Sequence, residues 1–279
     1  MLTVDVRTIK QKFVIQCPDK YSHDILKFID AKPDIEGHSC ETVYSELKQI
    51  SGLYSLRLNE DYASEGDLKH LLSDMHTRHF QRSRAEFVSS PLLHAGSFVI
   101  NGQMIIVIGD KGAGKSTLMA WLANAGTEIC GDEHVFLQGS NGLTRPRTLR
   151  VKHASLKFLP KEICQIVENS PAIGDWNDRQ VYSVSPEIFG HPWKIRSLPI
   201  AAALFLKPNH GVFSHLTPTS VDAATQPILD NTLLPVDDQL GGLIAVRQLL
   251  ASIPLFELRC GNLDQATSLV YKAVQRLPM

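Results

Sequence analysis

The residues of this chain that are best suited to chemistry lie between positions 109 and 133. Residues 109–116 read Gly-Asp-Lys-Gly-Ala-Gly-Lys-Ser and match the pattern G-x-x-x-x-G-K-[ST] in full. In such a loop the glycines let successive backbone N–H groups approach an anion, and the helix that follows adds the partial positive charge of its N-terminus. The pattern therefore predicts a phosphate-binding loop, or P-loop.

Each residue of this loop has an expected part in holding a nucleotide. Lys115 should reach the β and γ phosphates, and the hydroxyl of Ser116 should bind Mg²⁺. ATP and Mg²⁺ are therefore the predicted ligand and cofactor. The residues expected to contact the nucleotide are Gly109, Asp110, Lys111, Gly112, Ala113, Gly114, Lys115, Ser116 and Thr117.

Two acids follow the loop at a spacing that suits phosphoryl transfer. Asp132 and Glu133 come seventeen and eighteen residues after Lys115, which leaves room for one helix and one short strand. A right-handed crossover would lay that strand parallel to the strand before the loop, so its carboxyl end would emerge at the phosphates. There the two carboxylates could bind Mg²⁺ and accept a proton from an attacking hydroxyl. The alternative is that the pair only caps a loop.

The elements around the loop have the pattern that this chemistry requires. Residues 104–108 are apolar throughout, which is typical of a strand buried on both faces, and Asn101 and Gly102 before them predict a hairpin turn. A helix is predicted over 116–125, ended by Gly126, and a short strand is predicted over 128–131.

The rest of the chain has weaker patterns. Residues 139–150 are rich in turn-forming and basic residues, and 171–198 are expected to be irregular. Asp67 is the predicted N-cap of a helix over 67–80. We expect a small N-terminal α+β region over 1–90 and a P-loop domain over 91–279. Other predicted elements are strands at 12–17, 25–29, 54–58 and 199–206 and helices near 240–251 and 262–277.

Composition excludes several classes of function. The 28 basic and 29 acidic residues give a net charge of −1, so no field attracts nucleic acid or an anionic membrane. The apolar runs are too short to span a bilayer, and the first residues have no secretory pattern. The five cysteines form no C-x-x-C motif. We expect a cytoplasmic protein without a nucleic-acid or membrane partner.

At these residues the chain resembles HPr kinase/phosphorylase and its smaller HPr-kinase-like relatives, over roughly residues 93–152. Those enzymes have a G-x-x-G-x-G-K-S loop, then a strand that ends in paired acids, and a histidine just before the hairpin. The resemblance implies that Asp132 is the proton acceptor, Glu133 the second, metal-binding acid, and His94 an active-site histidine. Here the second acid is Glu rather than Asp, and the later Arg- and Gly-rich segment of the family is echoed only at 195–198.

The resemblance also implies a fold and an acceptor. The fold would be α/β, a P-loop-containing mixed sheet with flanking helices, similar to the nucleotide domain of phosphoenolpyruvate carboxykinase. The function would be a kinase acting on serine of a peptide or protein, such as the precursor peptide of a natural-product pathway, and the relatives tend to form homo-oligomers. A small-molecule kinase on the same fold and an ATP-binding sensor or scaffold without transfer are the alternatives.

A basic strip follows the acidic pair. It could neutralise charge in the transition state or bind an acidic acceptor, or it could be a solvated loop. The strip consists of Arg145, Arg147, Arg150, Lys152 and His153.

Overall fold

The chain forms two compact units, Met1–Val88 and Ser89–Met279. The predicted strand at 25–29 lies outside the described residues. The computed structural model describes residues 2–7, 11–18, 41–59, 62–85, 87–144, 148–170, 172–174, 180–190, 194–209 and 213–275.

The first unit is a five-stranded sheet with one helix packed against it. Its strands are β1 Leu2–Arg7, β2 Gln11–Cys17, β3 Glu41–Ile50, β4 Leu53–Leu58 and β5 Tyr62–Gly66. The order is β1-β2-β3-β4-β5, and only the β2–β3 pair is parallel among the described pairings of this sheet. Helix α1, Leu68–Ala85, begins after Asp67, whose Oδ1 accepts the His70 N–H at 2.9 Å, so the predicted N-cap is confirmed. Leu71 and Met75 of α1 share a core with the strands.

The second unit is built around a ten-stranded mixed sheet. Its strands are β6 Leu92–Leu93, β7 Gly96–Ile100, β8 Gln103–Ile108, β9 Ile129–Gly131, β10 Val135–Gln138, β11 Asn141–Thr144, β15 Ser197–Pro208, β16 His215–Pro218, β17 Thr232–Leu233 and β18 Leu255–Cys260. The order is β17-β6-β10-β11-β15-β8-β7-β9, and β18 pairs with both β15 and β16. The long strand β15 is parallel to β8 and to β18 and antiparallel to β11.

A small antiparallel sheet and five helices pack around this sheet. The small sheet has the order β12-β14-β13 and consists of β12 Leu149–Lys152, β13 Ala172–Gly174 and β14 Gln180–Val184. The helices are α2 Lys115–Asn124, α3 Lys161–Glu168, α4 Val221–Asp230, α5 Gln239–Ser252 and α6 Leu263–Val274, with 3-10 turns at His153–Phe158 and Pro186–Phe189. No helix in the described part of the chain is long and apolar enough to cross a membrane.

Strand β8 separates two hydrophobic cores, which confirms that it is buried on both faces. Ile105 and Val107 belong to the core that contains α2, α3, α6 and the small sheet. Met104, Ile106 and Ile108 belong to the core closed by α4 and α5. Because successive side chains of a strand point to opposite faces, an apolar run such as this one fits a strand covered on both sides.

Several local predictions are confirmed and one is wrong. Asn101 and Gly102, with φ of 53° and 75°, form the turn between β7 and β8, and β15 and the two C-terminal helices lie where predicted. The prediction that 171–198 is irregular is wrong, since this stretch contains β13 and β14. These strands are three to five residues long, so their alternation is too brief to stand out against nearby turn residues.

Candidate functional site

The motif loop, residues 109–114, joins the end of β8 to the start of α2 at one edge of the large sheet. Gly112 and Gly114 have φ of 95° and 101°, a region that favours glycine. A Cβ on Gly109 would lie 2.8 Å from the carbonyl oxygen of Leu206 at the end of β15. Gly112 and Gly114 are thus required by their backbone conformation, and Gly109 is required by close packing.

Lys115 lies in the first turn of α2 and is only 7% exposed. Its Nζ donates a hydrogen bond to the carbonyl oxygen of Gly109 at 2.5 Å. Burial lowers the pKa of Lys115, the carboxylates of Asp132 and Asp110 act in the opposite direction, and the nearby charge of Lys152 adds to the lowering. The ammonium group of Lys115 is therefore within electrostatic range of Asp132, which follows β9, and of Lys152 on β12.

Asp132 emerges at the same edge as the motif loop. Strand β9 is parallel to β8, as the crossover predicts, with β7 paired antiparallel between them. Residue 132 follows the carboxyl end of β9 and its side chain is completely buried. Its Oδ2 accepts a hydrogen bond from the backbone N–H of Arg150 on β12 at 3.1 Å. The small sheet thus fixes the orientation of this carboxylate.

The other predicted site residues lie around the same edge of the sheet. Ser116 and Glu133 are half-buried, in the first turn of α2 and directly after Asp132. His94 is exposed between β6 and β7, and its backbone N–H donates to the carbonyl oxygen of Asn231 at 2.7 Å. Because Leu93 pairs with the first residue of β10, His94 lies beside the segment that carries the acidic pair. The roles predicted for these three side chains stay predictions.

The basic strip is partly a strand that borders the site. Leu149 and Val151 are buried in the core, so Arg150 and Lys152 lie on the opposite face of β12, where both are half-buried. The alternative of a solvated loop is therefore wrong for residues 149–152. His153 is exposed, with its Nδ1 3.2 Å from the hydroxyl of Tyr182. Arg145 and Arg147 lie outside the described residues.

Residues 195–198, which partly match the later Arg- and Gly-rich segment of the HPr kinases, lie away from this site. Arg196 directly precedes β15, which is parallel to β8, so it lies at the edge where β8 begins rather than at the edge with the motif loop. Its Nη2 forms an ion pair of 2.5 Å with Oε1 of Glu128, at the start of β9. Arg196 is therefore paired with an acid at the edge of the sheet opposite the motif loop.

The predicted Mg²⁺ ligands are a hydroxyl from Ser116 and a carboxylate from Glu133. Among the described residues, no three His, Cys, Asp or Glu side chains are grouped to hold a metal ion. Mg²⁺ at nucleotide sites usually binds one or two protein ligands together with phosphate oxygens and water. One hydroxyl and one carboxylate fit an Mg²⁺ ion that binds together with a nucleotide.

The described residues define an α/β protein with a mixed sheet and a candidate nucleotide site at the ends of its parallel strands. No protein-family model and no curated protein matches the chain. Among solved structures it is similar to the Hpr(Ser) kinase/phosphatase from Coxiella burnetii, at 13% sequence identity and a TM-score of 0.32, over 66% of this chain and 93% of that chain. A likeness of this size carries no inference about activity, which has to come from the residues of this chain.

Proposed function

We propose that the chain is an ATP-dependent kinase that transfers the γ-phosphate to a hydroxyl group, with serine of a peptide or protein as the acceptor. One observation carries the proposal: the buried Lys115 at the start of α2 and the buried Asp132 lie within electrostatic range of each other at one edge of the sheet. Phosphoryl transfer uses such a cation for the phosphates and such an acid for the acceptor.

The motif loop has the features that a triphosphate requires. Gly114 occupies the N-cap position of α2 and has no side chain with which to cap the first N–H groups of the helix. Cβ atoms placed on Gly112 or Gly114 would meet no atom within 4 Å, so space remains on the outer side of the loop. Free helix N–H groups next to open space are a common anion-binding arrangement.

Lys115 would exchange one partner for a stronger one when ATP binds. Its contact with the carbonyl oxygen of Gly109 is to a neutral group, whereas phosphate oxygens form charge-assisted hydrogen bonds, which are roughly twice as strong. Burial disfavours the charged lysine, and the phosphates add negative charge beside it. Nucleotide binding would therefore relieve part of the cost of burying this side chain.

In the transfer step, Asp132 would accept the proton of the acceptor hydroxyl as its oxygen bonds to the γ-phosphorus and the bond to the bridging oxygen of ADP breaks. The products are the phosphate ester, ADP and a proton, which Asp132 returns to water. Lys115 and Lys152 would stabilise negative charge on the transferred group. Mg²⁺, when bound near Ser116 and Glu133, would neutralise charge on the phosphate oxygens.

The nucleotide assignment is tested by thermal unfolding with and without ATP and Mg²⁺. At an ATP concentration about 100 times the Kd, the folded state should gain about 2.7 kcal/mol. Lys115→Met should lose most of this gain. Lys161→Met, at an exposed lysine that begins α3, is the matched control and should keep it. Equal shifts for wild type and Lys115→Met would contradict the assignment.

Transfer is tested with ATP labelled at the γ-phosphate and an array of serine-containing peptides. Phosphoserine in a peptide product supports the proposal. Label that enters only small hydroxyl compounds would favour the small-molecule kinase. Label released only as free phosphate, or ATP binding without turnover, would favour the sensor or scaffold.

A further inference from the structure

The candidate site is bordered by a long stretch of chain that has basic residues and no acidic one. Residues 134–160, which we call the cationic segment, contain no Asp or Glu, whereas the whole chain has 28 basic and 29 acidic residues. A local excess of one sign of charge in a nearly neutral chain attracts a ligand of the opposite charge. The basic residues of the cationic segment are Arg145, Arg147, Arg150, Lys152 and Lys157.

The described part of the cationic segment lies against the proposed catalytic residues. The backbone N–H of Arg150 donates to Oδ2 of Asp132 at 3.1 Å, and the charge of Lys152 acts on Lys115. The side chains of Arg150 and Lys152 lie on the same face of β12, because the two residues that alternate with them are buried on the other face. An acceptor whose hydroxyl approaches Asp132 would therefore lie beside β12.

Lys157 extends the positive charge from β12 into solvent. It lies in the 3-10 turn that directly follows β12, and its side chain is exposed with Nζ 4.9 Å from the ring centroid of Phe158. Elsewhere exposed lysines pair with acids, as Lys207 does with Glu257 at 2.6 Å. Among the described residues, neither Lys152 nor Lys157 forms an ion pair. The charge of these two lysines is therefore not neutralised within the described part of the chain.

A nucleotide would neutralise only part of this charge. Lys115 and Lys152 are the two cations assigned to the phosphates, and they lie within electrostatic range of each other. The other basic residues of the cationic segment have no part in that assignment. The second substrate of the reaction is therefore the ligand that their charge would recognise.

We propose that the acceptor is an acidic peptide, in which Asp or Glu residues flank the phosphorylated serine and bind the cationic segment. The inference rests on the proposed function, since it concerns the second substrate of the same reaction. Carboxylates form charge-assisted hydrogen bonds with Lys and Arg, and Arg can hold a carboxylate through two N–H groups at once. An extended peptide advances about 3.3 Å per residue, so acids within roughly three residues of the serine are in reach of Arg150.

Binding is measured first with peptides that cannot be phosphorylated, so that the result does not depend on transfer. Both peptides have alanine in place of serine, with Glu on both sides in one and Gln in the other. Each exposed ion pair is worth up to a few-fold in affinity, so fluorescence anisotropy should give a Kd about 10-fold lower for the Glu peptide at about 50 mM salt. The preference should shrink at high salt. Equal Kd values at low salt would overturn the proposal.

Charge variants test whether the cationic segment is the source of the preference. Lys157→Glu should remove most of it and should improve the binding of a peptide with Lys at the flanking positions. Lys194→Glu makes the same change at an exposed residue, two positions before Arg196 at the opposite edge of the sheet, and should leave every Kd unchanged. Melting temperatures with and without ATP would identify a variant whose fold or nucleotide site is altered.

Arg150→Gln removes a charge but keeps the backbone N–H that binds Asp132. It should reduce the preference for the Glu peptide a few-fold, and Arg150→Lys should restore it. A preference that survives in both Lys157→Glu and Arg150→Gln would belong to another surface and would overturn the proposal.

Transfer from γ-labelled ATP to the serine forms of the same peptides separates this inference from the proposed function. The Glu peptide should have the lower KM and a similar kcat, because the flanking contacts are the same before and during transfer. Equal KM values would overturn the acidic acceptor and leave the kinase intact. Selective binding of the Glu peptide without transfer to any peptide would contradict the kinase and keep the cationic segment as a binding surface for acidic peptides.

Discussion

The carboxylate of Asp132 is oriented by a hydrogen bond from a different strand, β12. One oxygen accepts the backbone N–H of Arg150, and Lys115 lies within electrostatic range on the side of the motif loop. A backbone donor cannot rotate away as a side chain can, so the carboxylate is held in one direction. A general base depends on such positioning more than on any other property.

Replacement of Asp132 by Asn therefore separates basicity from shape. The amide oxygen can still accept the N–H of Arg150, but it cannot take a proton from the acceptor. We expect the rate of phosphate transfer to fall by about 10²–10⁴-fold while ATP still stabilises the protein. Initial rates with γ-labelled ATP and melting temperatures measure the two effects. Transfer at the wild-type rate would mean that another group is the base.

Variants of Asp132 and Glu133 should differ in how their transfer rates respond to Mg²⁺. Glu133→Gln removes a predicted metal ligand rather than the base, so its defect should be a higher Mg²⁺ requirement and should shrink at high Mg²⁺. Initial rates across a Mg²⁺ titration measure it, with Asp132→Asn as the comparison. If high Mg²⁺ instead restored the transfer rate of Asp132→Asn, Asp132 would be the metal ligand and Glu133 the base.

Lys115 predicts a pH dependence of stability. Burial lowers the pKa of Lys115 in the folded state below its ordinary value of 10.5. Below the folded-state pKa the lysine is charged in both states, and folding carries the full cost of burying the charge. Between the folded-state pKa and 10.5 the unfolded chain holds a proton that the folded chain has released, so this cost is relieved as pH rises.

Urea unfolding of wild type and Lys115→Met at several pH values from about 7 to 10 tests this sign. The free energy of unfolding of the wild type minus that of the variant should rise with pH. Burial raises the pKa of Cys130 to about 12 and that of Cys260 to about 11, but both thiols are in both proteins and their contributions cancel. A flat difference for Lys115→Met would show that its burial has no such cost.

At the scale of elements, the sequence predicts those parts of the site that depend on local signals. The apolar strand β8, the motif loop and α2 are continuous in the chain, and each has a pattern of its own. Strands β12 and β14 are four and five residues long and pair across about thirty residues, so no local pattern reveals them. The position of Arg196 could not be predicted either, because it depends on the parallel pairing of β15 with β8.

The close contact between the motif loop and β15 predicts that a methyl group added at Gly109 will destabilise the protein. In Gly109→Ala the new Cβ would lie 2.8 Å from the carbonyl oxygen of Leu206 and 3.2 Å from Cβ of Ala113. Because both are fixed by backbone, the loop must move away from β15. We expect a loss of about 1–3 kcal/mol in the free energy of unfolding together with weaker stabilisation by ATP.

Gly126→Ala is the matched control at the other end of α2. Gly126 has φ of 87° and no atom within 4 Å of its Cβ position, so alanine there costs about 1–2 kcal/mol of backbone strain without moving the loop. Its stabilisation by ATP should equal that of the wild type. Equal responses to ATP in the two variants would show that the spacing between loop and β15 does not matter for binding.

At the scale of the whole molecule, the two units have separate hydrophobic cores. The core of the first unit is formed by residues between Phe13 and Met75. The two cores of the second unit begin at Leu93 and extend to Val274. Every residue assigned here to nucleotide binding or transfer lies between His94 and Lys152, within the second unit.

A protein of residues 89–279 should accordingly fold alone and bind ATP as the full chain does. Its large sheet keeps both of its cores, and burial of apolar surface is the main source of folding free energy. We expect one cooperative unfolding transition and an ATP-induced shift in melting temperature equal to that of the full chain. Lys115→Met in the shortened protein should remove this shift, which would show that the shift comes from ATP bound at the motif loop. A shortened protein that folds but no longer responds to ATP would mean that the first unit completes the nucleotide site.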